Sequence, residues 1–170
     1  MYVLRRNRAA LLCAALIAVF AASPVPAAAE SPTWNGKYTL IGYADQKTGN
    51  SRAAKQAEAP FSGELTFVTQ CSGGSCVATV VDGPRPKNPT VPLPERYTWD
   101  GGRWANIYDW QWDCFVGDGF PKVWSPARSW TYYVPQSDGT LRGTWMTEIY
   151  GGPCEGSIWM PVAAFPLQRQ

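Results

Sequence analysis

From Arg103 to Cys114 the chain alternates without a break. Even positions read Trp104, Asn106, Tyr108, Trp110, Trp112 and Cys114; odd positions read Arg103, Ala105, Ile107, Asp109, Gln111 and Asp113. Successive side chains of a β-strand point to opposite faces, so this is one strand with four large aromatics and a cysteine on one face and a wetter face opposite. Asp100-Gly101-Gly102 supplies a tight turn, and Tyr97-Thr98-Trp99 the strand before it. The same signal predicts a first strand over Ser31 to Tyr43 and a hairpin of Gly63 to Gln70 with Val77 to Asp82. It also predicts a strand from Trp130 to Val134 and its return over Leu141 to Tyr150, with Leu141, Gly143, Trp145, Thr147 and Ile149 on one face. A last strand lies near Ser157 to Phe165. Ser51 to Ala59 carries helix formers but no sustained apolar stripe and stops at Pro60, which suits a short helix or a loop equally. Gly83 to Pro94 holds five prolines in twelve residues; it cannot enter a sheet and favours an extended connector. Phe115 to Ala127, rich in Gly and Pro, reads as a long loop. The expected fold is all-β: one antiparallel meander of about eight strands, closed into a small barrel or folded into a sandwich.

Ahead of this pattern stand Arg5, Arg6 and Arg8, an apolar run from Ala9 to Ala22, and small residues ending at Ala29. That is a secretory signal peptide over residues 1–29, leaving a single domain over 30–170. The residues after Arg5-Arg6 fit a twin-arginine signal poorly, which favours Sec export. No later stretch is long and apolar enough for a membrane span. Losing the leader removes three of 15 basic side chains and none of 13 acidic ones, so the net charge moves from +2 to near −1. Nothing basic is left to attract nucleic acid. Cys13 leaves too, and the four remaining cysteines in an exported chain imply two disulfides with three possible connectivities. Cys71-Ser-Gly-Gly-Ser-Cys76 is a short loop between strand-like runs, which favours pairing Cys71 with Cys76 and Cys114 with Cys154.

Several short signatures occur together: Trp34-x-Gly36-x-Tyr38, Cys71-x4-Cys76-Val77-Ala78, Trp99-Asp100-Gly101-Gly102-x-Trp104, Asp138-Gly139-x-Leu141-x-Gly143, and Cys154 followed by Pro161-Val162-Ala163. The set resembles small exported β-domain proteins of mycobacteria and related actinobacteria, and is similar to the outer domains of some mycobacterial receptor-type serine/threonine kinases. The resemblance spans nearly the whole mature chain. It implies a β-domain secreted or associated with the cell wall, and brings no catalytic residue set with it. This chain departs from the pattern at Phe67, where a tryptophan often stands, and in its unusually aromatic 108–112.

The chain contains no histidine, which removes Ser-His-Asp and Cys-His nucleophile systems and the usual zinc and copper sites. Oxidised cysteines supply no thiolate. A glycosidase would need two carboxylates roughly 5–9.5 Å apart. Asp109 and Asp113 share a face but lie about 13 Å apart along a strand, so either would need Glu148 across strands. That glycoside hydrolase reading is the weakest, and no catalytic residue, metal or cofactor is expected. Binding is stronger. All nine tryptophans lie beyond the leader, and flat aromatic faces stack on sugars or line apolar pockets. Trp104, Tyr108, Trp110 and Trp112 are the candidate contacts for a lipid or glycan, with a sheet core as the competing role. Alternatively, loops 83–94 and 115–127, with Phe120 and Trp124, dock an envelope or host partner.

Overall fold

A computed structural model describes residues 32–167; the leader, the cleavage point and the start of the expected domain lie outside the described residues. Nine strands follow in order: β1 (Gly36–Gly42), β2 (Thr48–Gly49), β3 (Phe61–Ser72), β4 (Ser75–Asp82), β5 (Arg96–Trp99), β6 (Trp104–Cys114), β7 (Val123–Pro135), β8 (Leu141–Ile149) and β9 (Gly156–Pro166). Every pairing is antiparallel. Sequential neighbours β3 to β9 pair in turn, and β1 pairs with β3 on one side and β9 on the other, closing an eight-stranded barrel. The two-residue β2 adds to the stretch of β9 that β1 does not reach, through Thr48 opposite Trp159 and Gly49 opposite Ile158. Of the two architectures the alternation allowed, the molecule takes the barrel. Closure leaves no long open edge.

An eight-stranded barrel has room inside for packed side chains or one small ligand. Inward residues gather in two clusters. At one end Trp34, Phe67, Tyr97, Trp104, Tyr133 and Met160 pack together. At the other are Ala53, Ala54, Ala127, Ile149, Ile158 and the buried Cys114–Cys154 disulfide. The second disulfide, Cys71–Cys76, closes the β3–β4 hairpin as its loop length implied.

The boundaries differ from expectation in three places. The first strand begins at Gly36, because Trp34 turns into the barrel end rather than joining the sheet; its backbone N–H donates to Thr69 Oγ1 at 2.8 Å. Residues 51–59 hold only a 3-10 turn at Ala53–Lys55. Ser51 Oγ sets that turn, donating to the Cys154 carbonyl (2.6 Å) and accepting from Ala53 N–H (3.1 Å). Strand β7 starts at Val123, well inside the segment expected to be loop. Its inward residues there, Ser125, Ala127 and Ser129, are small because Trp112, Trp110 and Tyr108 stand opposite them on β6. Pro126 is tolerated because the ladder to β8 begins only at Ala127, so its missing N–H costs no rung. Strand β8 comes close to β7 at Gly143, where a Cβ would lie 1.6 Å from the Tyr132 carbonyl oxygen.

Candidate functional site

The alternation of β6 is realised as read, with Trp104, Tyr108, Trp110, Trp112 and Cys114 facing the interior. They do not share one environment. Trp104 is fully buried between Trp34 and Trp99 and is core, offering no surface to a ligand. Tyr108, Trp110 and Trp112 are half-buried, with successive ring centroids 6.1 and 5.5 Å apart, and Trp112 lies 6.2 Å from Trp145 of β8.

A polar belt holds these rings. Trp110 Nε1–H donates to Ser129 Oγ at 2.8 Å, and Ser129 and Thr147 share a hydrogen bond of 2.5 Å in the buried interior. Trp145 Nε1–H reaches the Tyr108 hydroxyl at 3.5 Å. Replacing Ser129 with valine leaves the Trp110 and Thr147 groups without their shared partner. The expected cost is about 1–3 kcal/mol, measured by urea unfolding, with a shift in tryptophan emission as the Trp110 ring loses its anchor.

An open groove of about 470 Å³ lies against this strand, lined by Thr90, Asp109, Trp110, Gln111, Pro126, Ala127 and Tyr150. The proline-rich segment forms one bank. Asn88 Nδ2 donates to the Gln111 carbonyl (2.8 Å), and Thr90 Oγ1 accepts from the Gln111 N–H (3.0 Å), satisfying backbone groups that β5 is too short to reach. The other bank is Tyr150, which is 51% exposed and whose N–H donates to the Pro126 carbonyl at 2.8 Å. The lining therefore mixes an exposed ring and a proline with amide, carboxylate and hydroxyl groups.

The outer face of β6 is not uniformly wet, contrary to expectation. Ile107 pairs with Trp130, Trp130 with Met146 and Met146 with Trp159, forming one apolar row across four strands. The register alone makes that row, so it was invisible in any one strand. Beside it runs Asp109, Arg128 and Glu148. Asp109 and Glu148 thus stand two strands apart with a guanidinium between them, 3.8 Å from Asp109. Among the described residues no group of three metal-ligating side chains occurs, and no helix is long and apolar enough to cross a membrane.

The two loops proposed for partner docking meet at one side chain. Asp113 accepts from Asn88 Nδ2 (3.3 Å) in the proline-rich segment and from Lys122 Nζ in the loop before β7. Beyond that clasp Phe120 is 70% and Trp124 49% exposed.

Searches among protein families and among curated proteins find no match. Among solved structures, the chain is similar to the monomer form of the M. tuberculosis PknI sensor domain. That match has 18% identity and a TM-score of 0.58, over 81% of this chain and 90% of that one. The dimer form of the same domain matches at 19% identity with a TM-score of 0.49, over 87% and 91% of the two chains. The likeness is one of fold, and it falls on the kind of mycobacterial outer domain that the turn, cysteine and tryptophan signatures resembled.

Proposed function

We propose that this protein is an exported, non-enzymatic binding module whose ligand is a glycan-type molecule lying in the groove between Tyr150 and the proline-rich segment. The groove itself is the observation that supports this. A sugar offers one apolar ring face and a rim of hydroxyls, and the groove offers an exposed aromatic ring beside Asp109, Gln111 and Thr90. Its volume falls in the range of small-ligand sites, roughly 300–1,000 Å³. Two disulfides suit a domain that works outside the reducing cytoplasm. A sensor domain as a structural neighbour is consistent with binding rather than catalysis.

The test is titration of the disulfide-intact protein with envelope oligosaccharides, read by tryptophan emission, since Trp110 lines the groove. Tyr150→Ala removes the stacking platform and is expected to weaken binding by about 2- to 12-fold, the equivalent of roughly 0.5–1.5 kcal/mol. Unchanged affinity in that variant would remove the groove from consideration.

A second reading is supported by the clasp at Asp113, which holds loops 83–94 and 115–122 together beside exposed Phe120 and Trp124. Aromatic anchors held on a fixed base suit a protein partner. Phe120→Ala with Trp124→Ala would then abolish partner binding and leave oligosaccharide titration untouched.

A further inference from the structure

The barrel wall is thinnest between β5 and β6. Only Thr98 with Ala105 and Trp99 with Trp104 pair across it, whereas β6 pairs with β7 along its whole length. Beyond those two rungs the proline-rich segment spans the gap, and its hydrogen bonds to the β6 backbone are made at Gln111. The inward residues here keep contact with solvent: Glu95, Trp99, Asn106 and Tyr108 are each half-buried, while Tyr97 and Tyr133 beside them are closed. These inward side chains thus stay accessible to solvent beside the gap between the two strands.

Glu95 stands beside that gap. Its carbonyl accepts from the Val80 N–H at 2.9 Å, so its backbone prolongs β5, and alternation sends its side chain inward with Tyr97 and Trp99. One carboxylate oxygen accepts from the Tyr97 hydroxyl at 3.0 Å. None of the five ion pairs among the described residues includes Glu95. Burial raises its pKa against the opposing Tyr97 hydrogen bond. The carboxylate is also near enough to Tyr97, Tyr108 and Tyr133 to help push all three phenols upward. A partly desolvated carboxylate beside phenols, with no cation paired to it, is a site of uncompensated negative charge.

We propose that this site binds the ammonium group of a small organic cation, with Glu95 as counter-charge and the surrounding tyrosine and tryptophan rings as its walls. A bare metal ion fits poorly, since no group of three His, Cys, Asp or Glu side chains gathers among the described residues. An alkylammonium suits both partners: it pairs with the carboxylate and is attracted to aromatic faces once out of water. The site is separate from the groove, and neither reading depends on the other.

Isothermal titration of the disulfide-intact protein with choline chloride and tetramethylammonium chloride, against sodium chloride at equal ionic strength, tests this. Saturable binding of the two ammonium salts, absent with sodium, is expected. Glu95→Gln keeps an acceptor for Tyr97 while removing the charge, and is expected to weaken binding about tenfold or more. Binding should also fade as pH drops through the raised Glu95 pKa. The facing groups Tyr97, Tyr108 and Tyr133 stay neutral there, so Glu95 alone titrates. The melting temperature of Glu95→Gln at pH 7, expected at or above that of the parent, verifies that it folds. Tyr108→Leu, which removes a wall and no charge, should weaken binding several-fold and serves if the first variant does not fold. No saturable binding beyond the sodium control, or equal binding by Glu95→Gln, overturns the proposal. Tyr150→Ala should bind choline normally, so failure of the groove reading and failure of this one are told apart.

Discussion

Replacing Trp34 with alanine is expected to destabilise the protein by about 3–5 kcal/mol. Trp34 belongs to no strand, yet its ring is fully buried and reaches five of them. It stacks on Phe67 of β3 with centroids 4.1 Å apart and planes 13° from parallel. It meets Tyr38 of β1, Tyr97 of β5, Trp104 of β6 and Tyr133 of β7 at 5.0–6.2 Å. Those rings come from strands with their own hydrogen-bonded neighbours, so they cannot slide together to fill the void. The cavity contribution should therefore be nearly complete. Urea unfolding should show the midpoint falling with little change in slope. A loss under about 1.5 kcal/mol would mean that the barrel end collapses around the gap and that Trp34 is not its plug.

Removing the Cys114–Cys154 bond by a double alanine substitution is expected to cost about 4 kcal/mol on the chain-entropy account, since the bond closes a loop with a sequence separation of 40. At roughly 3–4 °C per kcal/mol for a domain of this size, the melting temperature should fall by about 12–16 °C. The bond is buried, and it ties the end of β6 to the turn between β8 and β9. The same substitution at Cys71 and Cys76, five residues apart, should cost about 2 kcal/mol or less. There the hairpin ladder already holds the two ends together, with Cys71 opposite Cys76. Differential scanning calorimetry of the two variants orders the bonds. A smaller loss for the buried pair would show that packing around it, rather than the covalent link, holds that end.

Strand β6 was legible because all its bulk lies on one side. Strand β7 was legible only in its second half, for a reason of volume. Where β6 sends Trp110 and Trp112 inward, β7 has room only for Ala127 and Ser125, and its large residues, Trp124 and Trp130, go outside. Read alone, that stretch has the look of a loop. The disulfides followed from loop length and strand pairing, and both formed as expected. The site was harder to see. Trp104 has the composition of a contact residue, but its burial depends on Trp34, seventy residues earlier. Tyr150 follows the last residue of β8, and only the pairing of β7 with β8 brings it beside Pro126. Glu95 follows a run of prolines and reads as loop. The signal that would have found it is its parity with Tyr97 and Trp99.

Strand β1 pairs with β9 at sequence separations of 120 (Gly42 with Val162) to 128 (Tyr38 with Pro166), and Leu167 N–H donates to the Lys37 carbonyl at 2.8 Å. The cylinder cannot seal until its final segment has been delivered, and contacts this remote in sequence slow the conformational search. A chain emerging during synthesis would present the flanks of β1 and β8 unsatisfied, both waiting on β9. A product truncated before residue 156 would then be no smaller version of the protein: it would carry two raw flanks, each able to recruit a foreign strand.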